Sequence, residues 1–372
     1  LWYDRRRDDH ERVRRIDGDV LPPFFEQPFG RSGQGEAWLG LSKYDLTKFN
    51  PWYWSRLREF ANLAQQRGLV LLHENYFQHN IIEAGAHWAD SPWRSANNIN
   101  NAGFPEPPPY AGDKRIFQAE LFYDVNHPVR RKLHEGYIRQ CLDNFKTNSN
   151  VIQFTSAEYS GPLHFVEFWL DTIGKWEQQN KRSRPIIALA APKDVQDAIL
   201  ADKKRSAVVD VIAFRYWWQM DNGLYAPPGG KNLAPRQWQR LIKSSPPSDL
   251  NLATMAAEYR GRFPTKPVIA ASEQGLRLDR CGWAYLCAGG SMPNLPRTTD
   301  TNLLAAIPRM KPWAEASKKE RWVLREASNQ MLIYGGGEMD LSGEAGTFRV
   351  NVVNTRTGEV TRGETVKAGD KV

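Results

Sequence analysis

Five short apolar runs, each following a helical pattern, constrain this 372-residue chain more than any other feature. They are Leu69-Val70-Leu71-Leu72, Asn150 to Ser156, Pro185 to Ala191, Val208 to Ala213 and Pro267 to Ala271. Each is strand-length and apolar without strict alternation, the mark of a strand buried on both faces. The helical patterns before them cover 51–67, 127–146, 163–180, 193–201 and Leu252 to Arg262. The first is the clearest. Asn50 is a natural N-cap, Pro51 suits the first turn, and Trp54, Leu57, Phe60, Ala61 and Ala64 share one face before Gly68 closes the helix. Repeated helix–strand order means a parallel sheet covered by helices, an α/β fold. Its expected form is a (β/α)8 TIM barrel over residues 1–318. Residues 282–296 read as a helix and a short final barrel strand, and Leu303 to Trp313 as a last helix.

From about residue 320 the pattern changes. Gln330 to Tyr334, Thr347 to Val353 and Gly358 to Thr361 are short alternating strands, with Thr355-Arg356-Thr357-Gly358 as a turn. Residues 319–372 are expected to form a small C-terminal β-sandwich module. Residues 1–50 read as loop, broken by Pro22-Pro23 and the Gly30 to Gly35 stretch. Residues 76–126, rich in Asn, Pro and aromatic side chains, form a loop long enough to suggest function.

Apolar content of 41% and charged content of 25% are those of a globular chain. No run of about 18 apolar residues occurs, so no membrane span is expected. The net charge of +8 favours acidic partners. Zinc-finger, RRM and basic-zipper patterns are missing, which argues against nucleic acid and leaves an acidic polysaccharide or no charge-selected partner. Cys141, Cys281 and Cys287 are odd in number and lack CxxC spacing, so neither a disulfide framework nor a zinc site is indicated. Cys141 reads as a small core residue; Cys281 and Cys287 could pair or stay as buried thiols.

Two of the runs stop at small polar residues and then present a carboxylate: Phe154-Thr155-Ser156-Ala157-Glu158 and Ile269-Ala270-Ala271-Ser272-Glu273. Side chains just past parallel strand ends line the active-site face of a barrel. Two carboxylates across a cleft are the machinery of glycosidic hydrolysis. Glu158 is assigned as general acid/base and Glu273 as nucleophile; the alternative for either is a structural ion pair. His73-Glu74-Asn75-Tyr76, with His79, ends another strand and offers polar partners and flat faces to sugar hydroxyls, or simply structural hydrogen bonds. His-Glu-x-x-x-x-His is not a zincin spacing, so no metal is assigned. Arg215-Tyr216-Trp217 ends a further strand, and Trp88, Trp93 and Arg94 lie in the long loop; these and Tyr159 are candidate sugar contacts, with core packing as the alternative for each tryptophan. Gly-x-Ser-x-Gly does not occur, and the Gly30 to Gly35 stretch matches neither phosphate-binding fingerprint. No cofactor is expected.

The order Gly-Leu-Val-Leu-Leu (68–72), Asn-Val-Ile-x-Phe (150–154) with its Glu, Val-Asp-Val-Ile-x-Phe-x-Tyr (209–216) and Lys-Pro-Val-Ile (266–269) with Glu-x-Gly resembles clan A glycoside hydrolases. The tail, with Leu332-Ile333-Tyr334 and Phe348-Arg349-Val350-Asn351 before Arg356-Thr357-Gly358-Glu359, is similar to the C-terminal β-sandwich of apiosidase-like bacterial enzymes. The resemblance covers roughly residues 40–372. It implies a (β/α)8 barrel with acid/base after strand 4 and nucleophile after strand 7, a retaining mechanism, a plant or algal carbohydrate substrate, and a secreted or periplasmic bacterial protein. Ala157 departs from the pattern, which has Asn before the acid/base. A non-catalytic carbohydrate-binding barrel and a polysaccharide lyase are the alternatives. Counting back makes Leu69 to His73 strand 3, puts the end of strand 2 near Trp2-Tyr3 and leaves strand 1 out. A barrel cannot close that way, so a preceding segment or a second chain is expected to supply its start.

Overall fold

The computed structural model describes residues 26–77, 91–104, 119–157, 159–180, 184–214, 218–219, 225–226, 229–230, 249–270, 281–318, 321–327, 329–341, 343–367 and 369. In chain order the elements are β1 (Phe29–Arg31), β2 (Tyr44–Phe49), α1 (Pro51–Gln66), β3 (Leu71–Phe77), α2 (Ala119–Phe122), α3 (Pro128–Phe145), β4 (Val151–Ala157), α4 (Leu163–Gln179), β5 (Ile186–Leu189), α5 (Lys193–Ala201) and α6 (Lys203–Ser206). They continue with β6 (Val211–Phe214), β7 (Trp218–Gln219), β8 (Tyr225–Ala226), α7 (Asp249–Arg262), β9 (Val268–Ala270), α8 (Cys281–Cys287), α9 (Thr301–Ala306), β10 (Lys311–Pro312), β11 (Trp322–Glu326), β12 (Gln330–Tyr334), β13 (Thr347–Val353) and β14 (Val360–Lys367). The fold is the expected α/β class: helix alternates with parallel strand in barrel order, followed by an antiparallel β-module. Two compact units are present, Leu1–Asp210 with Gln219–Ser244, and Val211–Trp218 with Ser245–Val372.

In the first unit β3, β4 and β5 lie side by side and parallel, with Leu71 opposite Val151 and Ile152 opposite Ile186. The helices form where caps and periodicity put them. Asn50 Oδ1 accepts from the amides of Trp52 and Tyr53, and Pro51 fills the first turn of α1. His127 and Pro128 open α3 in the same way, the imidazole accepting from the Arg130 amide. α4 buries Phe165, Val166, Trp169, Leu170, Ile173 and Trp176 along one stripe. Under α1, Ala61 packs on Phe145 and Val151, with Leu57 and Leu71 beside them. β1 and β2 form an antiparallel pair, Arg31 opposite Tyr44, with the guanidinium 3.8 Å over the tyrosine ring.

In the second unit β6 and β9 are parallel, Ile212 opposite Val268 and Phe214 opposite Ala270. Ser291 makes an isolated parallel bridge to Ile269, its amide donating to Val268 O at 2.7 Å, where the sequence reads a short final strand. Gly290 is required beside it: a Cβ would lie 2.3 Å from the Tyr285 ring, whose hydroxyl donates to Val268 O at 2.6 Å. The module holds two antiparallel sheets, β10-β11-β12 and β13-β14. Val323, Met339 and Leu341 form its core, with Met331, Phe348 and Val366 from both sheets closing on them. The turn after β13 docks on the helical part of this unit. Trp283 Nε1 donates to Thr355 O at 2.9 Å and Asp300 N to Gly358 O at 3.1 Å.

Several expectations are corrected. Within residues 1–50, expected as loop, Phe29–Arg31 and Tyr44–Phe49 form the strands β1 and β2. β3 starts at Leu71, two residues later than read, and Leu69, Val70 and Leu72 are exposed rather than buried. Phe60 leaves the buried face of α1 and is 57% exposed. The last helix stops at Ala306. A 3₁₀ turn, Ile307–Arg309, takes over because Pro308 has no amide to continue an α-helix. β10 and β11 were not read from the sequence, and β14 starts at Val360 and runs on to Lys367. Cys141 and Cys287 are buried free thiols, whose pKa values burial pushes up. The Cys281 side chain lies outside the described residues, as does the stretch expected to end strand 2.

Candidate functional site

β4 ends at Ala157, so the next residue in the chain is Glu158; β9 ends at Ala270, with Glu273 three residues on. β6 ends at Phe214, followed by Arg215, Tyr216 and Trp217. Glu158, Glu273, Arg215, Tyr216, Trp217, His79 and Trp88 all lie outside the described residues.

Of the remaining candidates, His73, Glu74, Asn75 and Tyr76 lie on β3, Tyr159 follows β4, and Trp93 and Arg94 come just before the 3₁₀ turn Ser95–Asn97. His73 and Asn75 are buried and project with Gln153, which stands opposite His73 in the ladder. His73 Nδ1 lies 2.8 Å from Gln153 Oε1, which also accepts from Asn75 Nδ2 at 2.8 Å. Asn75 Oδ1 accepts from Trp169 Nε1 at 2.8 Å, and its backbone carbonyl accepts from Tyr137 at 2.7 Å. Asn75, through its side-chain amide and its backbone carbonyl, thereby ties β3 to β4, α4 and α3.

A second network begins at Tyr76. Its hydroxyl lies 2.9 Å from His134 Nδ1, and His134 Nε2 lies 2.8 Å from Phe122 O. A carbonyl can only accept, so Nε2 carries the proton and Nδ1 accepts from the tyrosine. Trp93 stacks on the His134 ring at 4.8 Å. Burial holds both histidines neutral and pulls their pKa values down to about 4. Tyr159 is buried too, its hydroxyl donating to Pro162 O at 2.7 Å; burial raises its pKa well above the ordinary range.

Of the candidate sugar contacts, His73, Asn75, Tyr76, Trp93 and Tyr159 are buried with protein partners, which for the β3 residues and Trp93 is the structural alternative. Glu74 alternates with His73 and Asn75 along β3 and is half-buried. Arg94 is half-buried at the start of the 3₁₀ turn Ser95–Asn97. Residues not singled out in the sequence hold this end of the molecule together. Gln153 and His134 are polar residues on otherwise apolar faces, a signal that local reading can register without naming the partner. Arg130 donates to Ala102 O, Gly103 O and Leu121 O, so it organises residues 91–104 against α2 and α3.

Among the described residues no group of three or more His, Cys, Asp or Glu is arranged to hold a metal, and no helix is long and apolar enough to cross a membrane.

Solved structures similar to this chain include two glycoside hydrolases. One is described as a glycoside hydrolase, with 11% identity, 86% of this chain and 85% of the other covered, and a TM-score of 0.48. The other is a glycoside hydrolase family 5 protein from Bacteroides vulgatus ATCC 8482, with 13% identity, 65% and 63% covered, and a TM-score of 0.42. No curated protein matches. The model of a protein family, Domain of unknown function (DUF6298), matches residues 1–310, and the chain belongs to that family.

Proposed function

We propose that this protein is a glycoside hydrolase that cleaves a poly- or oligosaccharide by retaining double displacement. The observation that carries the reading is the position of two strand ends. Two parallel strands, β4 and β9, stop just before carboxylates, Glu158 immediately and Glu273 three residues later. Parallel β/α architecture gathers its functional side chains past the carboxyl ends of strands. Glu158 is the general acid/base and Glu273 the nucleophile. A protonated acid first assists departure of the leaving group; its conjugate base then activates water against the glycosyl-enzyme. Glu74, His79, Trp88, Arg94, Arg215, Tyr216 and Trp217 are the sugar contacts. The net charge of +8 favours an acidic glycan, and the resemblance suggests a secreted or periplasmic protein.

The test is reducing-end release from a panel of neutral and uronic-acid polysaccharides. Glu158→Gln and Glu273→Gln are each expected to lower release by ~10²- to 10⁴-fold or more while glycan binding persists. Ala157, in place of the Asn of the resembled pattern, favours a second reading as a carbohydrate-binding barrel. Binding without release in wild type and both variants would establish that reading instead. An unsaturated product absorbing in the ultraviolet would mean a lyase.

A further inference from the structure

The second unit holds a cavity of about 710 Å³ between its helical part and its β-module. α8 supplies Trp283 to the wall, α9 Leu303, the residue before β10 Met310, β12 Tyr334, and β13 Phe348 and Val350. Native interiors leave few voids larger than a water molecule. A volume of ~300–1,000 Å³ is instead that of a small-molecule site.

Two sets of contacts fix the walls. The turn after β13 is pinned to the helical part: Trp283 Nε1 donates to Thr355 O at 2.9 Å, the Asp300 amide to Gly358 O at 3.1 Å, and the Thr298 hydroxyl to Thr357 O. Gly358, at φ +72°, comes so close that a Cβ would lie 2.3 Å from Thr299 Oγ1. At the start of β13, Phe348 packs with Met331 and Val366 on Val323, Met339 and Leu341. β13 is thus held at Phe348 and at its following turn, and the strand between them lines the space.

The wall selects by chemistry. No lining residue has a buried side-chain nitrogen or oxygen without a partner. Of its two charged residues, Asp300 caps α9 by accepting from the Asn302 and Leu303 amides, and Arg349 is exposed. A space that offers apolar groups and few free hydrogen bonds holds water poorly. It does offer three rings, Trp283, Tyr334 and Phe348, and three thioethers, Met310, Met331 and Met339. Rings pack edge-to-face or offset on other rings, and thioether sulfurs favour ring edges. Asn302, Asn329 and Asn351 line the same cavity, are exposed, and put amides on its solvent side.

We propose that this cavity is a binding site for an uncharged aromatic molecule bearing hydroxyl groups, with its ring among the lining rings and methionines and its hydroxyls at the asparagines. A hydrocarbon chain would fill the same volume without using the rings. The inference rests on the second unit alone and stands whether or not the protein cleaves glycosides.

The experiment is NMR of the 372-residue chain with ¹³C-methyl methionine, titrated with 2-naphthol. The chain has six methionines, and single Met→Leu changes assign their signals. The expected result is saturable ring-current shifts at Met310, Met331 and Met339, with the other three signals unmoved. n-Decanol should bind at least tenfold more weakly. Leu332→Trp and, separately, Val350→Trp fill the space and should each weaken naphthol binding at least tenfold. Should either fail to fold, the shift pattern of the wild-type chain decides alone. Shifts that do not saturate, or that fall only on the other three methionines, would overturn the proposal. Decanol binding as tightly as naphthol would also overturn it, because the site would then select a chain and not a ring.

Discussion

At the scale of the residue, Asn75 does more structural work than its neighbours. Its side chain meets Gln153 and Trp169, and its carbonyl meets Tyr137, all in the interior. Truncating it leaves the buried Trp169 indole N–H without a partner, at ~1–3 kcal/mol, and removes one of the two donors to Gln153 Oε1. Asn75→Ala is expected to lower the free energy of unfolding in urea by ~2–4 kcal/mol; a loss below ~1 kcal/mol would mean water replaces the amide. His73 and His134 make a pH prediction. Their folded pKa values are about 4, below the unfolded value of 6.5. Above pH 6.5 neither state binds these protons. As pH falls from 6.5 towards 4 the unfolded chain takes them up first, so stability is lost across that window and levels off below it. The loss should approach ~3 kcal/mol per histidine. A urea midpoint that does not move between pH 7 and pH 4.5 would contradict the burial of both rings. His134→Gln should flatten the profile by about half.

At the scale of the element, Arg130 decides whether residues 91–104 have a fixed place. Its side chain is nearly fully buried, and three backbone carbonyls and Asp124 take up its donors. Arg130→Met should cost ~2–4 kcal/mol and open residues 91–104 to limited proteolysis before the rest of the chain. Cleavage unchanged from wild type would show that the aromatic packing of Phe104 and Trp93 suffices. The longer helices are legible in the sequence because their signals are local, while the one-turn helices Ala119–Phe122 and Lys203–Ser206 are not. Asn50-Pro51 and His127-Pro128 start α1 and α3, and the apolar stripe of α4 runs uninterrupted to Trp176. β1 and β2 were not legible, because their partners are each other and Asn98 and Asn100 of a distant loop. The exposure of Leu69, Val70 and Leu72 was hidden for the opposite reason. Composition says what a strand prefers, while the neighbour it meets is set by the fold. The candidate site divides in the same way. The carboxylates following β4 and β9 were visible from strand endings, whereas the roles of Gln153 and His134 depend on partners 80 and 58 residues away.

At the scale of the whole molecule, a chain of net charge +8 attracts anionic polymers through screened interactions. With an acidic polysaccharide as substrate, the apparent KM should rise several-fold between low and ~0.5 M salt while kcat changes little. A KM insensitive to salt would point to a neutral glycan. The central proposal is that Glu158 and Glu273 act together as general acid/base and nucleophile. Its most direct test is the distance between the two carboxyl groups in a crystal structure. A retaining glycosidase requires ~5–5.5 Å across an open cleft, and that is the result this account predicts. A separation well beyond ~10 Å, or either carboxylate buried in an ion pair away from a cleft, would contradict it.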